Sequence, residues 1–403
     1  TDILVTFGTD IDPSTINSNT FVVHASQSGL HNGTYSYYPG TKTATLLLDN
    51  EFVAGENVYV TLTSGIQDFD NYPIIPFHWE YTIETSMGSG HFSEKEDYSS
   101  GFSPWLVTCS DLDMDGDMDL ASVNFNSNSI SIHRNYGDGT FASNVDYGVG
   151  NSPSSIASAD FDRDGDMDIA VANRDDSGIS ILMNYGDGTF ASRVDSGAGN
   201  EPYGIVLSDL NLDGNMDLAV ANHGSNSVSI FMNNGDGTLG SGVYYSTGNG
   251  PASIASADLD SDGDIDLAIA NEGSNTITIF MNDGDGNFAS GVDYSSGISP
   301  WSLISSDLDS DGDIDLVVAN YGSNSVSIFM NNGDGSLLSR VDYGTDNNPL
   351  TVISSDLDGD EDMDLVIANQ GSNTVTLLMN IDNGIFVPNG SYAVGEQPHS
   401  VTA

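Results

Sequence analysis

The sequence predicts an all-β protein: a β-propeller of four-stranded blades, of the seven-bladed type with its last blade cut short, behind an N-terminal β-sandwich. Three observations predict it. Six acidic loops recur at a strict spacing of 49 residues, led by Asp111, Asp160, Asp209, Asp258, Asp307 and Asp356. Each 49-residue unit holds four short β-branched or aromatic runs separated by Gly, Asn and Asp turns. Residues 1–85 lack that phase and carry strand-like runs of their own.

A chain of 403 residues is too long for one ordinary core, so a repeat array or more than one domain is expected. With 7 Lys plus Arg against 59 Asp plus Glu, the formal charge of −52 repels phosphate backbones and anionic lipid alike. That argues against nucleic-acid binding. High charge with few hydrophobes marks disorder, but here 38% of residues are hydrophobic and fall in short alternating runs, which fits a folded all-β chain. The single cysteine, Cys109, replaces small residues of the repeat (Ser158, Ser256, Ser305, Ser354) and reads as a small core thiol. No run approaches the ~18 apolar residues of a membrane helix, so no membrane insertion is expected of this segment. The chain opens at Thr1 without a leader, which reads as a cut, so a signal peptide is neither visible nor excluded.

One unit, residues 251–299, shows the strands: PASIASADL (A), LAIAN after the acidic loop (B), NTITIFMN (C) and, after GDG, NFASGVDYSSG (D). Four strands in 40–50 residues is the pattern of a propeller blade. Ahead of the first full unit, Gly88-Ser89-Gly90, Phe92 and Tyr98 stand in the phase of Gly137-Asp138-Gly139, Phe141 and Tyr147, so a lone D strand precedes the array. Behind the sixth unit, PHSVTA matches PSSIAS and forms a lone A strand that stops two residues before a seventh loop is due. A ring whose last blade is completed by its first strand needs these two pieces, which gives seven blades over residues 86–403 with B and C of the seventh absent from a fragment. The alternative is a six-bladed ring with two spare strands.

In residues 1–85 the strand candidates are ILVTF, TFVVHAS, GTYSYY, TATLLLD, NVYVTLTS and FHWEYTI, and at that size a sandwich is the default. The stretches VTFGTDIDPSTINSNTFVV and VYVTLTSGIQDFDNYPI resemble bacterial Ig-like domains of surface proteins.

Each acidic loop reads D-x-D-x-D-G-D-x-D. The candidate metal residues are Asp111, Asp113, Asp115, Asp117 and Asp119 in loop 1, and Asp160, Asp162, Asp164, Asp166 and Asp168 in loop 2. They continue as Asp209, Asn211, Asp213, Asn215 and Asp217 in loop 3, and Asp258, Asp260, Asp262, Asp264 and Asp266 in loop 4. Loop 5 offers Asp307, Asp309, Asp311, Asp313 and Asp315, and loop 6 offers Asp356, Asp358, Asp360, Asp362 and Asp364. Carboxylates at positions 1, 3 and 5 converge if the chain curls, Gly at position 6 permits the turn, position 7 offers its carbonyl and position 9 a further carboxylate. Such hard oxygens suit Ca²⁺; Mg²⁺ wants a stricter octahedron, and zinc wants nitrogen or sulfur that no loop contains. An EF-hand is excluded, because position 12 is Ser122 in loop 1 and the flanks are strands. A plain Asp-Gly hairpin explains one Asp and one Gly per turn, not five carboxylates within nine residues. Loop 3, with two Asn, and loop 6, with Glu361 in place of Gly, are expected to be the two weakest of up to six sites.

Units of the form DLDxDGDxDLAVAN…NGDGTF resemble FG-GAP or VCBS repeats, the calcium-bearing blades of integrin-α-like propellers and of many bacterial surface proteins. The resemblance implies that calcium sits in the A–B hairpins, away from the ligand face, in a structural role.

Comparing the units with one another separates fixed positions from free ones. Pro opens every A strand and Asn ends every B strand. The residue after that Pro varies (Trp105, Ser154, Tyr203, Ala252, Trp301, Leu350, His399), as does the residue after that Asn (Phe125, Arg174, His223, Glu272, Tyr321, Gln370). Both sets belong to the rim opposite the acidic loops, which makes Trp105, Tyr203, Trp301, Phe125, Arg174, His223 and Tyr321 candidate ligand residues. No nucleophile elbow, His cluster or acid pair outside the loops suggests catalysis. The function expected is therefore a calcium-stabilised, non-catalytic adhesion or binding module of a secreted or cell-surface bacterial protein, with an extracellular protein or glycan as partner. The alternative is a carbohydrate-binding propeller, or an accessory domain of a polysaccharide-active enzyme.

Overall fold

The structure, a computed structural model, describes residues 2–402 apart from 26–28, 51, 53–56, 70, 83–96, 138 and 361. The N-terminal part is a β-sandwich. Strands β1 (Asp2–Thr6), β5 (Thr43–Leu48) and β4 (Gly33–Tyr38) form one antiparallel sheet, in the order β1-β5-β4. Strands β3 (Gly29–Leu30), β2 (Phe21–Ala25), β6 (Asn57–Leu62) and β7 (Phe77–Thr82) form the other. Phe21, Val23, Leu46, Val58 and Val60 fill the space between them. All six expected runs are strands, and the two-residue β3 is an addition that no run of that length could announce.

Six four-stranded antiparallel sheets follow among the described residues. In the first, A is Pro104–Ser110, B is Asp119–Asn124, C is Ser129–His133 and D is Val145–Gly148. The later A strands are Pro153–Ala159, Pro202–Ser208, Pro251–Ala257, Pro300–Ser306 and Pro349–Ser355. Consecutive A strands touch one another, so A lies on the axis side, while D is mostly exposed at the outer edge. The B strands, such as Asp266–Asn271, are buried along their whole length because both faces pack against neighbouring blades. Leu112, Val123, Ile130 and Ile132 of the first blade thus interdigitate with Ile156, Ile169, Val171 and Phe190 of the second. Each fully buried side chain of this kind stabilises by about 1.5–3 kcal/mol.

A polar latch joins successive blades. From the second blade on, the amide of the Asn at or just past the end of the C strand donates to a carbonyl in the acidic loop of the blade before: Asn184 to Leu112 (2.8 Å), Asn233 to Phe161 (2.8 Å) and Asn282 to Leu210 (2.8 Å). Asn331 to Leu259 (2.7 Å) and Asn380 to Leu308 (2.7 Å) continue it.

The expected lone D strand at Gly88–Gly90 and Phe92 lies outside the described residues. Tyr98 is in register: its hydroxyl accepts from Phe141 N–H at 3.3 Å, as Tyr245 does from Phe288 and Tyr343 from Phe386. The segment 398–402 has no strand ladder, but it sits between the sixth and first blades. Thr351 Oγ1 donates to the His399 carbonyl (3.2 Å), the His399 ring lies tilted against Trp105 at 4.4 Å, and Thr402 Oγ1 lies 3.4 Å from Cys109 Sγ. Cys109 is therefore only partly buried, a seam residue rather than the core thiol expected.

The sandwich rests on the acidic loops of blades 2, 3 and 4. A β-carbon on Gly29 would sit 3.3 Å from Met167 Sδ, one on Gly214 would sit 2.9 Å from Val22, and one on Gly263 would sit 3.0 Å from Phe77. Tyr59 packs on the cluster that contains Phe161 and Met216. This is why β2 is buried on both faces: Phe21, Val23 and Ala25 face the sandwich core while Val22 and His24 face the propeller.

Candidate functional site

Each acidic loop links the end of an A strand to the start of a B strand, and its fold follows from two left-handed residues. Gly at position 6 takes φ between 85° and 98° (Gly116, Gly165, Gly214, Gly263, Gly312). Position 4 is also left-handed, in non-Gly residues: Met114 (57°), Arg163 (63°), Leu212 (56°), Ser261 (59°) and Ser310 (59°). Five repeats of a conformation that L-residues disfavour mark a turn imposed by the loop as a whole. Loop 6 instead has Gly359 at position 4, at φ 80°, and its Glu361 lies outside the described residues.

The position-1 carboxylate turns back on the loop: Asp111 accepts from Asp115 N–H (3.2 Å) and Gly116 N–H (3.0 Å), and Asp160, Asp209 and Asp258 do the same. Position 9 clamps the loop to its blade. Asp119 accepts from Leu112 N–H (3.0 Å) and Asn135 N–H (2.7 Å), and Asp168, Asp217, Asp266, Asp315 and Asp364 repeat the pattern. The residue read as a further ligand thus has a scaffolding role that its spacing did not reveal.

Carboxylate oxygens converge to within 4.8 Å in five loops: Asp111, Asp113 and Asp115; Asp160, Asp162 and Asp168; Asp258, Asp260 and Asp262; Asp307, Asp309 and Asp311; Asp356, Asp358 and Asp360. These clusters could hold a metal ion. Loop 3 has no such trio because Asn211 and Asn215 replace two carboxylates; Asn211 exchanges hydrogen bonds with Asp213 instead. Position-7 side chains (Asp117, Asp166, Asn215, Asp264, Asp313) turn toward the first Gly of the C–D turn, which agrees with position 7 offering a carbonyl rather than a carboxylate.

The fit to a hard cation is tested by what the loops leave unpaired. One buried oxygen of each position-3 carboxylate in four loops, Oδ1 of Asp113, Asp162, Asp260 and Asp309, has no hydrogen-bond partner, and neither does Asp307 Oδ1. Buried acceptors without donors are costly. All of them are oxygens at converging positions, so the residues fit Ca²⁺. Burial, reinforced by neighbouring carboxylates, pushes Asp160 and Asp266 up to about 7 and Asp168 and Asp217 up to about 8. Asp209, beneath the sandwich, is likewise pushed to about 7 by burial and by Asp213, against a hydrogen bond from Thr61.

On the opposite rim, the A strands open with a bulge. Pro104 pairs with Asn124 and Leu106 with Val123, which leaves Trp105 as the extra residue, and the later blades shift register at the same place. Bulges re-aim side chains. Here they turn Trp105, Ser154, Tyr203, Ala252, Trp301 and Leu350 into one pocket on the axis, of about 240 Å³, with His399 completing the wall. The residues after the B-strand Asn stand behind this ring and touch it. Phe125 stacks on Trp105 (5.1 Å), the Arg174 guanidinium covers Phe125 (4.7 Å) and reaches the Tyr203 hydroxyl (3.4 Å), and His223 tilts on Tyr203 (4.9 Å). Tyr203 meets Trp301 edge-on (5.9 Å), Trp301 meets Tyr321 (6.1 Å), Tyr321 donates to Gln370 (3.2 Å), and Gln370 bonds His399 (3.0 Å). All seven candidate ligand residues therefore belong to one connected constellation. Sequence reasoning missed Gln370 and His399 as members, although both occupied the varying positions.

A family model described as FG-GAP-like repeat matches residues 111–171, 160–220, 209–269, 258–318 and 307–367, and one described as bacterial Ig-like domain matches residues 1–83. A search of curated proteins finds no match. Similar solved structures include virginiamycin B lyase from Staphylococcus aureus, 17% identical over 74% of this chain and 88% of that one, with a TM-score of 0.53. A lectin from Agrocybe aegerita that recognises non-reducing terminal N-acetylglucosamine is 17% identical over 97% and 94%, with a TM-score of 0.53. A putative 6-phosphogluconolactonase from Bacteroides fragilis is 16% identical over 96% and 99%, with a TM-score of 0.58. At these identities the likeness is one of fold, and the neighbours are propeller-like.

Proposed function

The chain belongs to the FG-GAP-like repeat family, and from that premise we propose that it is a non-catalytic adhesion or binding module of a secreted or cell-surface bacterial protein. Ca²⁺ in the acidic loops stabilises the blades, and an extracellular protein or glycan binds the opposite face. The observation that carries this reading is the division of labour between the two ends of every A strand. One end runs into a loop of converging carboxylates with orphaned buried oxygens, and the other opens with a bulge that delivers a variable side chain to a shared pocket. The companion Ig-like segment supports an extracellular setting, where both families usually occur. The lyase and the putative lactonase among the fold neighbours do not bear on catalysis in this chain, because fold alone does not carry activity.

The test is to replace Trp105, Tyr203, Trp301 and Tyr321 together and measure retention on surfaces coated with fibronectin or mucin. Retention by the parent chain and its loss in the variant, with an unchanged melting temperature, supports the assignment. Equal retention by both would remove the ligand from this face.

A further inference from the structure

The ligand face leaves the chemistry of its ligand open, but the axial pocket narrows it. Around the axis the bulged residues alternate in size: Trp105, Tyr203 and Trp301 on blades 1, 3 and 5, with Ser154, Ala252 and Leu350 on the blades after them. Tyr203 and Trp301 meet edge-on (5.9 Å) over Ala252, Trp105 stands on the far side of Ser154, and the pocket they line with the other bulged residues is about 240 Å³. That is below the roughly 300–1,000 Å³ of sites for drug-sized ligands, and it suits one saturated ring rather than a chain segment lying flat.

Two hydroxyls of the wall keep a proton to donate: Ser253 and Ser302 accept from Leu303 N–H (3.1 Å) and Val352 N–H (3.4 Å), which leaves their own O–H groups free, while Ser154 and Thr351 spend theirs on the Pro202 and His399 carbonyls (2.7 and 3.2 Å). The Tyr321 hydroxyl donates to Gln370 Oε1, so the Gln370 amide donates to His399 Nε2, and the proton of His399 must be on Nδ1. That Nδ1 is buried with no acceptor in reach. A pocket with aromatic faces and unanswered donors calls for a ring with apolar C–H faces and oxygen acceptors at its edge.

Charge settles the rest. Among the described residues no Lys, Arg, Asp or Glu lines the pocket, and the Arg174 guanidinium, which reaches the Tyr203 hydroxyl, is held by Asp175 at 2.9 Å and lies over Phe125. A chain of net charge −52 repels anions, and the described lining offers no cation to bind them.

We propose that the axial pocket binds the terminal, uncharged pyranose of a glycan, entering end-on between Trp105 and the Tyr203–Trp301 pair, with ring oxygens received by His399 Nδ1–H and the Ser253 and Ser302 hydroxyls. The proposal rests on the reading of this rim as the ligand face. It is tested by tryptophan fluorescence and calorimetry on the full chain in calcium, titrated with methyl glucoside, methyl galactoside, methyl mannoside, methyl N-acetylglucosaminide, glucuronate and choline. The expected result is saturable binding of at least one neutral glycoside and none of glucuronate. Ala252→Trp, which fills a gap with a side chain already carried at the same bulge by other blades, should weaken that binding at least about tenfold. His399→Phe should weaken it about fivefold, at an unchanged melting temperature. Preference for glucuronate or for choline overturns the proposal while the pocket stands as a site. A silent panel combined with retention lost in the four-residue replacement overturns the sugar but not the face, and silence in both experiments overturns the two together.

Discussion

Removing divalent cations at pH 8 should bring the propeller close to unfolding. In each of five loops, three carboxylate oxygens lie within 4.8 Å of one another, and two unit charges at that distance repel by roughly 3.5 kcal/mol at an effective dielectric constant near 20. Three pairs amount to about 10 kcal/mol per loop, and solvent around the partly exposed carboxylates screens this to about 3 kcal/mol. Summed over the five clusters, the strain is about 15 kcal/mol, comparable with the whole stability of a typical domain. With an unfolding entropy of about 2.1 cal/mol/K per residue, the melting temperature should fall by roughly 15–25 °C in EGTA and return with millimolar Ca²⁺. Calorimetry and circular-dichroism melts read it. Protonation supplies the sign check. The ordinary Asp value is 3.8, and burial raises Asp160 and Asp266 to about 7 and Asp168 and Asp217 to about 8. Between pH 4 and 8 the folded chain therefore holds more protons than the unfolded one, and its metal-free stability is lost as pH rises through that window. In EGTA the melting temperature should climb from pH 8 to pH 5; with Ca²⁺ bound that climb should vanish or reverse. A melting temperature that chelator shifts by less than about 2 °C at pH 8 would refute the reasoning.

Other perturbations separate scaffold from site. Asn282→Ala removes the amide that donates to the Leu210 and Ile265 carbonyls, and should cost about 1–3 kcal/mol in chemical denaturation without altering the ligand face. Gly335→Ala forces a β-carbon onto a residue at φ 72° packed against the Met281 methyl, so a loss of about 2–3 kcal/mol is expected, read as a lower denaturation midpoint. Thr61→Val deletes the sandwich hydroxyl that bonds Asp209. It should destabilise by about 1 kcal/mol and speed proteolysis between the two parts, whereas an unchanged digestion pattern would mean that the contact does not hold them together.

Much of the fold was legible because it repeats. The 49-residue phase places all six sheets, and the Pro and Asn that bracket strands A and B pair with each other, as Pro153 with Asn173. The converging carboxylates were legible for the same reason, since a loop of nine residues carries its own geometry. What the sequence hid was decided by partners far along the chain. Asp168 looks like one more loop carboxylate until Asn184 N–H and Phe161 N–H are seen to occupy it. The bulge at Trp105 exists only in relation to strand B, and no pattern in strand A alone signals it. The left-handed Met114, Arg163 and Leu212 share no residue type, so their common conformation could not be read from any one of them. Burial of Val22 and His24 on the outer face of β2 comes from the propeller loops beneath, not from the sandwich.

The Asn latch also ties the array together in both directions. Each of these amides bridges two loops, that of its own blade and that of the blade before it. A fault in one loop therefore loosens two amides, the one that the following blade extends to it and its own blade's, whose other bond holds the preceding junction. Damage should run like a slipped stitch, to the junctions on both sides of the faulty blade. Loops 2, 3 and 4, which lie under the sandwich, are each held by two such amides, so the sandwich covers a stretch where every loop is stitched from both sides.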